Sequence, residues 1–159
     1  MSGIGQKEFT VRQYASILLI LTCLFVFRVM AQLIQARHPV PFLPSFDAWQ
    51  SGALPYPFLV ATQVMILVVC LRIVGKMFRE VVVPVQKKGK ILWYLGGIYF
   101  VAMSIRLALG LTVTSEHFWF GATLPTLFHL VLATFLLVYG RFHLLASVTT
   151  KPFQQKVEA

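Results

Sequence analysis

Acidic side chains are scarce in this chain: five Asp and Glu in 159 residues, and none inside its long apolar runs. Phosphoryl transfer usually needs carboxylates to hold a metal, and proton-coupled transport commonly uses a membrane carboxylate, so both chemistries lack their material. Charge of either sign is sparse. Asp, Glu, Lys and Arg make up 12% of the chain, about half the share in a soluble domain. The hydrophobic share is 58%, which excludes a disordered chain and argues against a water-soluble globule. It also removes the solvated basic surface of a nucleic-acid-binding domain, so no nucleic-acid partner is expected. Cysteine is limited to Cys23 and Cys70, both within apolar runs and without CxxC or zinc spacing. They read as small buried hydrophobes, not as a disulfide or a redox pair. No nucleophile elbow, catalytic triad, lipidation motif or inverted repeat is visible.

What is present is apolar length. Four segments run over about 14–35, 57–75, 91–113 and 120–145. Each approaches or exceeds the roughly 20 residues that cross a hydrocarbon core. A backbone in lipid must satisfy its own hydrogen bonds, and the ten-residue alternation of a barrel is missing, so the segments are predicted helical. The expected fold is a single all-α domain, a bundle of four transmembrane helices. The first segment is too long for the apolar core of a signal peptide and carries Arg28, so it is expected to be retained.

The 14 Lys and Arg are placed unevenly. Lys7 and Arg12 precede the first span. Lys76, Arg79, Lys87, Lys88 and Lys90 lie between the second and third. Arg141, Lys151 and Lys156 mark the carboxy-terminal end. The opposite loops hold Arg37, with Asp47 and Glu116. Positive residues favour the cytoplasmic side, so both termini and the middle connection are predicted to face the cytoplasm. The expected location is the cytoplasmic (inner) membrane of a bacterium, with the lysines near anionic headgroups. Pro84 and Gly89 are expected to break the middle connection.

The first outer loop holds five of the eight prolines. A short interfacial helix is expected between Pro44 and Gly52, with Ser45 as its N-cap and Asp47 in its first turn. Phe46 and Trp49 would share a face, as an interfacial anchor or as a stiff lid. In the second outer loop, Ser115 and Glu116 suit the start of the fourth helix, and Phe118, Trp119 and Phe120 form an aromatic belt.

The informative residues are polar ones within the spans: Arg28, Gln32, Gln63, Arg106 and His129. A charge at mid-membrane costs about 2.5–3.5 kcal/mol on insertion scales, so these are the candidate ligand-binding residues. Counted from the outer ends of their spans, one from each helix lies roughly 9–14 Å deep. Arg28, Gln32 and Gln35 share one helix face by their i, i+4, i+7 spacing. Tyr99, Met103, Arg106 and Gly110 form a stripe on the third span; Thr126, His129 and Ala133 do so on the fourth. Asp47, Glu116 or an anionic ligand would supply counter-charge. Two readings stand. The arginines snorkel to outer phosphates while the glutamines bridge helices, or the polar groups converge on a cationic pocket open to the outer side.

Single residues carry less. His143 is expected at the cytoplasmic interface. His38 and His117 lack further metal ligands. Gly96 and Gly97 permit a close helix contact but do not form GxxxG. Haem would need an axial partner for His129, for which Met30 and Met103 are the candidates. A quinone would need donors such as His129, Gln63 and Tyr99. The favoured function is a small membrane accessory subunit or binding module, without catalytic residues of its own and within a larger membrane complex. The alternative is an enzyme or redox subunit that binds a quinone, haem or anionic lipid.

Overall fold

Thr10 starts the first helix by a reciprocal cap. Its Oγ1 accepts the Gln13 N–H at 3.3 Å, and Gln13 Oε1 accepts the Thr10 N–H at 2.8 Å. Two donors that a helix leaves bare are satisfied at once. The structure is a computed structural model that describes residues 10–49, 55–112 and 123–155, with side chains in the last stretch described to Ala146. The described residues form α1 (Val11–Arg37), a 3-10 turn (Phe46–Trp49), α2 (Tyr56–Phe78), α3 (Gln86–Thr112) and α4 (Thr123–Gln155), and no strand. All four helices are long and apolar enough to cross a membrane.

The helix limits follow local chemistry. Pro39 lies just beyond the end of α1, where the His38 N–H still reaches Ile34 O. Pro57 stands in the first turn of α2, where its missing N–H costs nothing. The α2 end closes on two turn bonds, Glu80 N–H to Met77 O and Val81 N–H to Lys76 O. Glu80 sits there at a φ of 57°, a left-handed position usually given to glycine. The expected spans agree with the helices to within a few residues, except at the start of α3 and the end of α4. There α3 begins at Gln86 and takes in Gly89, and α4 runs on to Gln155.

Gly89 therefore does not break the chain, contrary to the sequence expectation. It is a packing residue. A Cβ there would lie 2.9 Å from the Leu144 backbone nitrogen, and one on Gly140 would lie 2.9 Å from that of Trp93. Gly96 faces Leu136 and Leu137 in the same way, while Gly97 faces open space. These glycines let α3 and α4 approach closely within one chain.

The helices are arranged in a row of contacts. α1 packs on α2 and on α4, and α4 packs on α3; the described residues of α2 and α3 do not meet. At the Lys/Arg-rich end of the bundle lies an apolar core. Cys70, Val74 and Met77 from α2 and Phe135, Tyr139 and Phe142 from α4 each follow i, i+4, i+7. They close around Tyr14, Ala15 and Leu18 of α1, and the Tyr14 ring meets Phe142 edge-on at 5.7 Å. Large apolar side chains cover the outside as well: Ile20, Phe27, Met65 and Ile98 are all more than half exposed. Such a surface suits hydrocarbon, not water. Cys23 belongs to this outer surface, so only Cys70 is buried as expected.

His143 lies at the Lys/Arg-rich end of the bundle, inside the protein. It is 1% exposed, and its Nδ1 accepts the Val85 N–H at 3.1 Å, just ahead of α3. The neighbouring Tyr139 ring packs against it, and Lys88 Nζ donates to Tyr139 Oη at 3.1 Å. The ring is thus a cap for the start of α3, held inside the protein and not at its surface.

Candidate functional site

Opposite the apolar core, the other half of the bundle is polar inside. Arg28 and Gln32 lie one turn apart on α1 and are both buried, at 5% and 0% exposure. Gln63 of α2 is buried beside them, and its Nε2 donates to Gln32 Oε1 at 3.1 Å. Arg28 Nη2 donates to the Trp49 carbonyl at 3.2 Å. The guanidinium carbon lies 5.6 Å from the centre of the Phe128 ring of α4. Trp49 stacks on the same ring at 6.4 Å and 28°. Phe128 thereby meets both a cation and an indole.

His129 follows Phe128 on α4. Its Nδ1 shares a hydrogen bond with Tyr99 Oη of α3 at 2.5 Å. The positive charges of Arg28 and Arg106 both act on its ring, and that of Arg106 also reaches Tyr99. Arg106 is buried, at 6% exposure. A continuous polar layer therefore crosses the row of helices: Gln63, then Gln32 and Arg28, then His129, then Tyr99 and Arg106. Measured from the described helix ends Arg37, Tyr56, Thr112 and Thr123, Arg28, Gln63, Arg106 and His129 lie about 9–14 Å deep at 1.5 Å per residue. Side-chain hydrogen bonds across helices join Gln63 to Gln32 and Tyr99 to His129.

Both arginines turn into the protein, which sets aside snorkelling along a lipid-facing surface. The other half of that reading stands, because the glutamines do bridge α1 and α2. Gln35 acts elsewhere. Its Oε1 accepts the Val40 N–H at 3.0 Å and folds the chain back after α1. Thr126 and Ala133 are buried on the His129 stripe. Asp47 is exposed on the 3-10 turn, away from the buried layer. Glu116 lies outside the described residues, as do Lys7, Gly52, Ser115, His117, Phe118–Phe120 and Lys156; the Lys151 side chain is likewise not described.

Trp49 enters the layer by a route the sequence only half suggested. It is 2% exposed and its Nε1 donates to Pro44 O at 3.0 Å. Phe46 packs against Tyr56 instead, 5.3 Å between ring centres. The two aromatics of the turn thus part company, one into the bundle and one along its rim. Phe128 carried no sequence signal beyond being apolar. The Trp49 carbonyl carried none at all, since any residue has one.

Among the described residues, the buried polar atoms of this layer without a hydrogen-bond partner include Arg28 Nε, Gln32 Nε2 and Gln63 Oε1. Turning both amides over exchanges which glutamine donates, but one NH2 and one carbonyl stay unmatched. Among the described residues, no three His, Cys, Asp or Glu stand close enough to hold a metal ion. The side chains of the layer able to exchange protons are His129 and Tyr99, linked to each other. Met30 is half exposed on the outer surface, so it does not face His129 as an axial ligand would. No protein-family model, curated protein sequence or solved structure matches this chain.

Proposed function

We propose that this chain is a small integral membrane binding module, an accessory component of a larger membrane assembly, that takes a polar ligand between its helices in the outer half of the bilayer. One observation carries the reading: Arg28 Nε, Gln32 Nε2 and Gln63 Oε1 are buried together without partners. An unmatched buried polar group costs about 1–3 kcal/mol. Three in one layer are costly for structure alone and become useful when a ligand completes them. Trp49 and the short turn Phe46–Trp49 then cap the site at the outer interface.

The orientation rests on charge. Arg12, Lys76, Arg79, Lys87, Lys88, Lys90 and Arg141 gather at the end away from the polar layer. Lys87, Lys88 and Lys90 lie in the first turns of α3, where the helix dipole disfavours cations. Anionic headgroups of the cytoplasmic leaflet offset that cost. Both termini therefore face the cytoplasm, and the location is a bacterial cytoplasmic membrane.

A second reading has its own support. The Tyr99–His129 pair beside two arginines can bind a quinone head and relay a proton, as a redox subunit would. Haem ligation by two histidines of α4 does not fit, because His129 and His143 are fourteen residues apart on one helix, about 21 Å.

The test is to purify the protein in mild detergent, record its visible spectrum and identify co-purifying small molecules by mass spectrometry. A near-stoichiometric amphiphile, lost from a Gln32→Leu/Gln63→Leu variant, is the expected result. A Soret band or bound quinone moves the assignment to the redox reading. A folded protein that carries nothing, and binds no offered amphiphile, removes the binding-module reading.

A further inference from the structure

Among the described residues, Arg28 is a buried cation of the polar layer without an anion beside it. Arg28 is 5% exposed, and a guanidinium stays protonated. Its contacts are the Trp49 carbonyl and the Phe128 ring, both neutral. No carboxylate among the described residues pairs with it, since the single ion pair there joins Arg12 to Glu80 at the far end of α1. A buried charge lacking a counter-charge is strongly unfavourable, more so than any unmatched neutral group. The unused Arg28 Nε–H and the unused Gln32 amide are both donors, one turn apart on the same face of α1. An acceptor that also carries negative charge meets both needs.

Resting on the binding-module reading, we infer that the ligand presents an oxyanion, a carboxylate or a phosphate, that Arg28 Nε and Gln32 Nε2 bind from one side. Gln63 Oε1 faces the opposite demand, for a donor, and takes a hydroxyl of the ligand or a water. Depth favours an amphiphile with a compact head. Arg28 lies nine residues inside the end of α1 at Arg37, about 14 Å along the axis. A long-chain acid or an isoprenyl phosphate reaches that depth with its tail lying on the apolar outer surface. A small aqueous anion would have to enter past Trp49. A quinone carbonyl would satisfy the donors but leave the charge unbalanced.

The experiment uses the whole chain in phosphatidylcholine nanodiscs, which supply no anionic lipid, and measures saturable binding of oleate, farnesyl phosphate, inorganic phosphate, oleyl alcohol and decylubiquinone. Oleate or farnesyl phosphate is expected to bind at least ten-fold more tightly than oleyl alcohol. Arg28→Gln, which keeps hydrogen-bonding groups but not the charge, should abolish that preference, and Gln32→Leu should weaken oleate binding several-fold. Phosphate binding without oleate binding would identify an aqueous anion in place of an amphiphile, and the oxyanion assignment would still hold. Equal binding of oleate and oleyl alcohol to the unaltered protein, a comparison that needs no variant, overturns the proposal. So does decylubiquinone binding alone, which moves the assignment to the redox reading. No saturable binding by any probe ends both.

Discussion

Arg28 holds the backbone of Trp49, and Trp49 in return covers Arg28. The guanidinium donates to the Trp49 carbonyl at 3.2 Å, while the indole stacks on the Phe128 ring that the guanidinium also faces. One side chain on α1 thus meets both the turn Phe46–Trp49 and α4. A point charge on a flexible stem does not reproduce a planar fork that meets a carbonyl while it faces a ring. Arg28→Lys should therefore loosen the loop partly, and Arg28→Leu fully. With Trp93 and Trp119 replaced by Phe, Trp49 fluorescence should resist aqueous iodide in the parent and become quenchable in Arg28→Leu. An unchanged Trp49 in Arg28→Leu would mean that the indole alone anchors the turn.

The glutamine pair predicts a sign of coupling. Gln32→Leu leaves a Gln63 amide buried without its partner, and Gln63→Leu does the reverse. Each single change should cost about 1–2 kcal/mol. The double Leu variant should cost less than the sum, because it removes both polar groups at once. Unfolding titrations in detergent give the four corners of the cycle. Strict additivity would show that the 3.1 Å bond carries no coupling.

The α3–α4 contact separates two glycines that look alike in sequence. Gly140→Ala places a methyl 2.9 Å from the Trp93 backbone nitrogen, and backbone cannot yield as a side chain does. A loss of about 1–3 kcal/mol is expected from overpacking. Gly97→Ala meets nothing within 4 Å and should be neutral or slightly stabilising, since alanine favours the helix by up to about 1 kcal/mol. Thermal melts of the two variants decide it. Equal melts would mean that the helices separate at little cost.

Membrane orientation follows from the same helices read as charge carriers. Cysteine labels placed at Asp47 and after Leu145, on a background without Cys23 and Cys70, should react with impermeant reagents from opposite sides of the membrane. The Asp47 site should label from outside. Labelling of both sites from one side would contradict an arrangement of four crossings.

Which residues span the membrane is written in local composition. Long runs without carboxylates have one stable outcome in lipid, because a helix satisfies its backbone from within its own segment. The depth of Arg28, Gln63, Arg106 and His129 was legible for the same reason: axial rise depends on residue count alone. Partners were not legible. Whether Arg28 faced lipid or protein depended on which helices flank α1, and the row α2, α1, α4, α3 is a property of packing between distant segments. Gly89 illustrates the limit best. In sequence it stands beside lysines and near a proline, as a breaker would. In the fold, the missing Cβ is what lets Leu144 approach, and only the neighbouring helix supplies that reason. His143 behaves the same way, since its partner Val85 lies 58 residues off in the chain. The one-dimensional pattern set what must leave water. The tertiary structure decided which of the described polar groups then met one another, because hydrogen bonds between side chains depend on distances that residue counting does not contain.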